Sequence, residues 1–385
     1  MGPSFNEQFD QHGVWRREFA HQIHRLSEWM SDHELMDAAV QERLNRLEAQ
    51  VRSDKVMVAF VAEFSRGKSE LINAIFFADY GRRIMPASAG RTTMCPTELG
   101  YDASLAPSLR LLPIETRLQL QGLAEWRVKP ERWIEIPLDV NNADQIAKAL
   151  EKVAEVRKVT LDNARALGFW HDELADENPV PDSEGLVEVP MWRHAIINIP
   201  HPLLKQGLVI LDTPGLNAVG AEPELTVNLI PQAHAVVFIL SADTGVTRSD
   251  LSIWREHLAT SVDSLDARLV VLNKIDTLWD TLNSPDEILA QMNRQCMTSA
   301  DMLGVPLQQV VPVSAQKGLV AKITCDDLLL ESSGLPVLED ALAKGIMGRR
   351  QAILRAAVAT GVGSLRAETS RVINIRRRDL DDQMA

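Results

Sequence analysis

Hydrophobic positions along the chain fall into two patterns. From residue 56 onward, short unbroken apolar runs recur: Val56–Ala62, Leu208–Leu211, Ala235–Leu240, Leu269–Leu272 and Val310–Val313. Runs of this length, rich in Val and Ile, predict strands of a parallel sheet buried on both faces. At the chain ends the apolar residues step by three or four instead. Trp15, Phe19, Ile23, Leu26 and Met30, then Met36, Val40, Leu44, Leu47 and Val51, predict two amphipathic helices. Leu354, Val358, Val362, Leu365, Val372 and Ile375 predict another. No such helix buries its stripe alone, so the two ends are expected to pack together, with Leu26 and Leu354 in their core. The expected fold is α/β: a mainly parallel sheet with helices on both faces, plus a helical bundle. The expected divisions are 1–52, 53–335 and 336–385.

Residues 98–206 interrupt this pattern. Leu109–Leu112, Trp133–Ile136 and Trp192–Ile199 predict short strands, residues 143–167 a helix, and the acidic stretch 171–185 an exposed loop. The segment is long enough to be an insertion.

Charge and cysteine content narrow the function classes. A net charge of −13 over 385 residues argues against a broad nucleic-acid-binding face. Cys95, Cys296 and Cys325 are widely spaced and odd in number, which fits a reducing cytosol and no metal pattern. There is no signal-peptide pattern and no apolar run near membrane-spanning length. A cytoplasmic location is expected, with peripheral attachment to a membrane left open. Residues 1–50 hold nine acids and five Arg, whereas Arg349 to Arg378 holds eight Arg and one Glu. These balances suit helices packed side by side; the alternative is an arginine strip facing anionic lipid.

Four motifs sit at the ends of apolar runs. The first is Ala62-x-x-x-x-Gly67-Lys68-Ser69, between a strand pattern and the helical Leu71, Ile72, Ile75 and Phe76. This is the context of a phosphate-binding loop. Backbone N–H groups would hold phosphate oxygens, Lys68 would reach the β- and γ-phosphates, and Ser69 would ligate Mg²⁺. Ala62 stands where the motif has its first glycine, a strained exchange if its φ is positive. Residues 81–97 follow as a loop with threonines, and Thr93, with Thr92 second, is the candidate to meet Mg²⁺ and the γ-phosphate. Asp212-x-x-Gly215 is next, with Asp212 toward a Mg²⁺ water and the Gly215 N–H toward the γ-phosphate. Asn273-Lys274-Ile275-Asp276 selects guanine, because Asp276 accepts from N1–H and the 2-amino group, which adenine lacks. Lys274 would lay its stem along the base. Ser314-Ala315-Gln316 would offer a backbone N–H to guanine O6.

Taken together, these motifs are those of a GTPase. In detail the chain resembles the dynamin superfamily, especially bacterial dynamin-like proteins. The resemblance is carried by Glu63-Phe64-Ser65-Arg66-Gly67-Lys68-Ser69 with Leu71-Ile72-Asn73-Ala74, by Thr93-Met94-Cys95-Pro96-Thr97-Glu98-Leu99, by Asp212-Thr213-Pro214-Gly215-Leu216 and by Asn273-Lys274-Ile275-Asp276. It implies GTP and GDP as ligands, lined by the loop Glu63 to Glu70, with Mg²⁺ at Ser69, Thr93 and, through water, Asp212. A monovalent cation is a further cofactor of interest. It implies hydrolysis after two copies dimerise across the nucleotide face, with Ser65 ordering the γ-phosphate and attacking water and Thr93 positioning that water. Phe64 stands where eukaryotic dynamins carry a water-orienting glutamine, and Leu216 where many small GTPases have Gln. Arg66 or Arg91 is either an arginine finger or an ordinary pairing residue. The implied role is membrane remodelling at an anionic surface; the alternative is a regulatory GTP switch or a slow GTP-binding scaffold that docks another protein.

Overall fold

The computed structural model describes residues 21–33, 35–37, 40, 41, 43–45, 47, 48, 55–86, 95–119, 121–172, 178–213, 233–258, 268–280, 282, 284–343 and 350–384. The strands among them are β1 (Val56–Ala62), β2 (Thr97–Gly100), β3 (Ser108–Pro113), β4 (Ile134–Pro137), β5 (Val156–Thr160), β6 (Leu186–Pro190), β7 (Trp192–Asn198), β8 (Leu208–Asp212), β9 (Ala235–Ser241), β10 (Arg268–Asn273) and β11 (Val310–Pro312). All but β5 and β6 join one sheet, in the order β11-β10-β9-β1-β8-β2-β7-β3-β4.

The sheet has two halves of different character. From β11 to β8 every neighbouring pair is parallel. β8 and β9 are buried at every position, as expected of parallel strands covered on both faces. At β8 the direction reverses: β2 is antiparallel to β8, β7 runs parallel to β2, and β3 and β4 continue antiparallel. This second half is the inserted segment. The helix expected over 143–167 is corrected. A helix covers Ala143–Glu151, then β5 runs Val156–Thr160 and pairs antiparallel with β6, before a short helix Leu161–Ala166. The apolar spacing there serves a hairpin-like pair with a core of its own, containing Ile114, Val159, Phe169, Val187 and Val189.

The chain divides into two compact units, residues 56–349 and residues 1–55 with 350–385. The division falls at 350, not 336, because Leu335, Leu338 and Leu342 are buried in the larger unit. In the smaller unit, Ile23, Met30, Val40, Leu44, Leu47, Val358 and Leu365 form one core. Leu26 is corrected: it is 36% exposed. At about 100° per residue it stands roughly 60° round the helix from Ile23, on the flank of the stripe. The side chain of Leu354 and residues 1–20 lie outside the described residues. Arg43 on the N-terminal side pairs with Glu368 on the helix Arg350–Met384, the reverse of the overall charge balance. Such an exposed pair contributes about 0–1 kcal/mol, so apolar burial dominates, at about 1.5–3 kcal/mol per large side chain.

Candidate functional site

The site forms where the parallel strands end. β1 runs out at Ala62, which is absent from the residues with positive φ. Ala62 is therefore ordinary extended backbone, and the missing glycine imposes no strain. The strain sits further along: Ser65 has φ 65° and Gly67 has φ 85°. A non-glycine residue in the left-handed region costs about 1–2 kcal/mol, and such residues cluster at functional sites. Gly67 has a second reason to be glycine: a Cβ there would come 2.4 Å from Asn273 Nδ2. The helix Lys68–Ile72 starts directly after it and continues as π- and 3-10 turns to Tyr80.

Lys68 Nζ lies 2.9 Å from Asp212 Oδ1, with both side chains nearly out of solvent. Register explains the meeting, since β1 and β8 lie side by side with Phe60 opposite Asp212. Thr213 clasps the same end by donating its hydroxyl to the Phe60 carbonyl at 3.0 Å. Yet among the described residues neither the ammonium nor either carboxylate oxygen has a well-directed hydrogen bond. The charges attract while the donors and lone pairs stay unaligned. Unmet capacity of this kind in a buried pair fits groups that take phosphate oxygens and a hydrated cation. Ser69, also buried, stands next to Lys68 on the same helix.

The base-recognition motif is assembled by β10 and β11. Lys274 has φ 62°, which turns the chain sharply after β10. Asn273 is 2% exposed; its amide donates to the Arg66 carbonyl at 2.9 Å and accepts from the Ala315 N–H at 3.0 Å. Its side chain thus ties the phosphate loop to the Ser314 loop, rather than reaching outward. Ser314 donates to Asp276 Oδ1 at 2.6 Å and fixes that carboxylate. Ser314 also caps the helix Ala315–Thr324 by accepting from the Lys317 N–H at 3.2 Å.

Arg66 is not placed as an arginine finger. It is 7% exposed, and its guanidinium pairs with Glu63 and Asp250. Glu63 and Arg66 therefore spend their side chains on each other. Phe64 is 52% exposed beside them, and Glu70 takes a bidentate ion pair from Arg83. Arg91, Thr92, Thr93, Gly215 and Leu216 lie outside the described residues. Sequence reasoning missed two acids at the site: Asp250, which pairs with Arg66, and Asp243, which pairs with Lys274. Cys95 is wholly buried.

A phosphate loop, a buried Lys–Asp pair and an Asn-Lys-x-Asp turn at the ends of parallel strands of one sheet define a GTPase domain of the P-loop class. The Dynamin family model matches residues 58–276, and the elongation factor Tu GTP-binding domain model matches residues 196–358. The chain belongs to the Dynamin family. It is 22% identical to an uncharacterized protein in the xynA 3′ region of Caldicellulosiruptor sp., over 85% of this chain and 64% of that protein. It is 23% identical to the bacterial dynamin-like protein of Nostoc punctiforme, over 59% of this chain and 26% of that one. With the transmembrane GTPase Marf of Drosophila melanogaster it shares 24% identity, over 81% of this chain and 31% of Marf. A solved chain from an oligomerised bacterial dynamin pair covers 97% of this chain and 50% of its own length, with 14% identity and a TM-score of 0.47. The chain thus spans less than two thirds of the length of these relatives. Among the described residues, no helix is long and apolar enough to cross a membrane.

Proposed function

We propose that this chain binds GTP with Mg²⁺ and hydrolyses it, with a second copy completing the catalytic site across the nucleotide face. The observation that carries the reading is the buried Lys68–Asp212 pair with its unmet hydrogen-bonding capacity. Lys68 exchanges Asp212 for the β- and γ-phosphates, and the backbone N–H groups around Gly67 hold the remaining oxygens. The Ser69 hydroxyl and, through water, Asp212 would hold Mg²⁺, which would supply charge neutralisation at the phosphate oxygens. Asp276, steadied by Ser314, accepts from guanine N1–H and the 2-amino group. The Ala315 and Lys317 N–H groups are taken by Asn273 and Ser314, so we assign the Gln316 N–H between them to guanine O6. Ser65 and Thr93 order the attacking water.

An anionic membrane surface is the second partner of this reading. Its support is the exposed stretch of the C-terminal helix that carries Arg371, Arg376, Arg377 and Arg378 beside Val372, Ile373 and Ile375. A second reading, a slow GTP switch or scaffold, is favoured by Phe64 at the water-orienting position. Hydrolysis measured against protein concentration, with and without anionic liposomes, separates the two. Specific activity that climbs supports the first reading; tight GTP binding with flat, slow turnover supports the second.

A further inference from the structure

We propose that the segment Ser241–Asp250, which belongs to none of the phosphate or base motifs, is a brace that positions both halves of the nucleotide site through Arg66 and Asp243. This rests on the reading of the site as a guanine-nucleotide site. The segment is itself stiff. The Thr244 and Gly245 N–H groups donate to the Ser241 carbonyl at 3.3 and 2.9 Å. Gly245 takes φ 65°, and Ser241 and Gly245 form an isolated bridge. A full capping box at Thr247 and Asp250 then starts the helix Arg248–Ile253.

On the phosphate side the segment grips Arg66. Asp250 Oδ2 accepts from Arg66 at 2.9 Å, while the Thr244 and Thr247 hydroxyls accept at 2.5 and 3.2 Å. Asp250 is wholly buried. A planar guanidinium held at several points fixes orientation as well as position. Arg66 lies between Ser65 and Gly67, the two left-handed residues of the loop. Release of the fork lets those residues relax and scatters the N–H groups that face phosphate.

On the base side the grip is separate. The Ala242 N–H donates to the Asn273 carbonyl at 2.7 Å. Asp243 Oδ2 accepts from Lys274 Nζ at 3.3 Å, and its other oxygen accepts from the Ser241 hydroxyl at 2.5 Å. Lys274 sits in the left-handed region, and its ammonium is tethered so that its stem lies along the base. Arg66 and Asp243 are thus positioning residues: one acts through the phosphate loop, the other through Lys274.

The test uses the full chain and titrates fluorescent N-methylanthraniloyl GDP with Mg²⁺, alongside thermal melting. Asp250→Leu alone leaves the buried guanidinium with Glu63 as its remaining carboxylate and lowers Tm. Arg66→Met with Asp250→Leu replaces the buried pair by apolar groups, leaves the partly exposed Glu63 to water, and recovers much of that Tm, as such replacements do. Nucleotide affinity in this double variant should stay about tenfold or more below native. Recovered Tm with native affinity overturns the phosphate-side claim, because the pair then serves packing alone. A double variant that stays unstable is judged by the binding of its folded fraction, on the same criterion. Asp243→Ala removes a half-exposed carboxylate. It should shrink the preference for GDP over ADP about tenfold while leaving Tm in place; an unchanged ratio overturns the base-side claim. A native chain that binds no guanine nucleotide defeats the function reading by itself. The brace is then judged by amide exchange at Gly67 and Lys68, which the double variant should accelerate about tenfold, and unchanged exchange overturns it.

Discussion

The two halves of the large sheet hold their buried carboxylates differently. In the parallel half, Lys68 and Asp212 are buried without aligned hydrogen bonds, and Ser65, Gly67 and Lys274 sit in left-handed conformations at strand ends. In the mixed half, Glu98 on β2 is buried but satisfied: it accepts from Arg127 and lies 3.0 Å from His194 Nε2. Asn198 on β7 likewise donates to the carbonyls of Leu105 and Ala106, both at 3.1 Å, and accepts from the Asp102 N–H at 2.7 Å. The parallel half couples an unaligned buried ion pair to left-handed backbone at its strand ends. In the mixed half the buried carboxylate is paired on two sides, although His194 Nδ1, Ser108 Oγ and Arg110 Nε are also without a hydrogen-bond partner among the described residues. A mutation should therefore hurt binding in one half and stability in the other.

Lys68→Ala gives the largest expected effect. GTP affinity should fall about a hundredfold or more, since charge-assisted contacts to two phosphates go at once. Titration calorimetry checks it, and undiminished binding would break the phosphate-loop reading. Glu98→Gln should act the other way, lowering stability by about 3 kcal/mol while nucleotide affinity holds. Burial works to raise the Glu98 carboxyl, but the charge of Arg127 and the hydrogen bond and charge of His194 outweigh it and hold it at about 2, below the usual 4.5. A lowered carboxyl stabilises the fold fully above its unfolded value, and that contribution drains away as pH falls from about 4.5 to about 2. Urea midpoints from pH 6 down to pH 3 should thus drop more steeply in the native chain than in Glu98→Gln.

The smaller unit sharpens the contrast with a pair of glycines. A Cβ on Gly361 would come 2.3 Å from Leu47 Cδ2, whereas one on Gly363 would meet nothing within 4 Å. Gly361→Ala should destabilise by about 1–3 kcal/mol through overpacking, and Gly363→Ala should stabilise by up to about 1 kcal/mol. Thermal melting of both variants reads the sign. Equal effects would mean that the helix Arg350–Met384 does not pack on Leu47. The smallest effect is expected from Ala62→Gly. Because Ala62 is extended and buried, glycine adds unfolded-state freedom and removes one packed methyl, a loss of about 1 kcal/mol, and GDP affinity should barely move.

The parallel half was legible because burial on both faces writes continuous apolar runs, and the motifs fall where those runs stop. The mixed half hid for physical reasons. β4 is exposed at three of its four positions, so it carries little hydrophobic signal. β5 alternates weakly beside a true helix, and the joint spacing reads as one longer helix. β2 is only four residues long and follows a loop. At the site, residue types named the groups near nucleotide, but not which of them face it. Asn273, Glu63 and Arg66 fit a ligand shell by position, yet their side chains are committed to one another's loops. Arg66 meets Asp250 across 184 residues, a distance over which no spacing rule carries information. In the smaller unit the apolar stripe was readable as far as Leu365, but Val372 and Ile375, expected to continue it, are exposed, as is Leu26; which stripe residues are covered depends on where their partners sit.

The ends of β1, β8, β10 and β11 carry the proposed guanine-nucleotide site. Its most direct test is calorimetric titration of the native chain and Asp276→Asn with GTP, XTP and ATP in the presence of Mg²⁺. The native chain should take GTP and reject ATP. Asp276→Asn should move the preference to XTP, because the donor–acceptor match at position 2 of the base inverts. ATP bound as tightly as GTP by the native chain, or a preference untouched in Asp276→Asn, would contradict it.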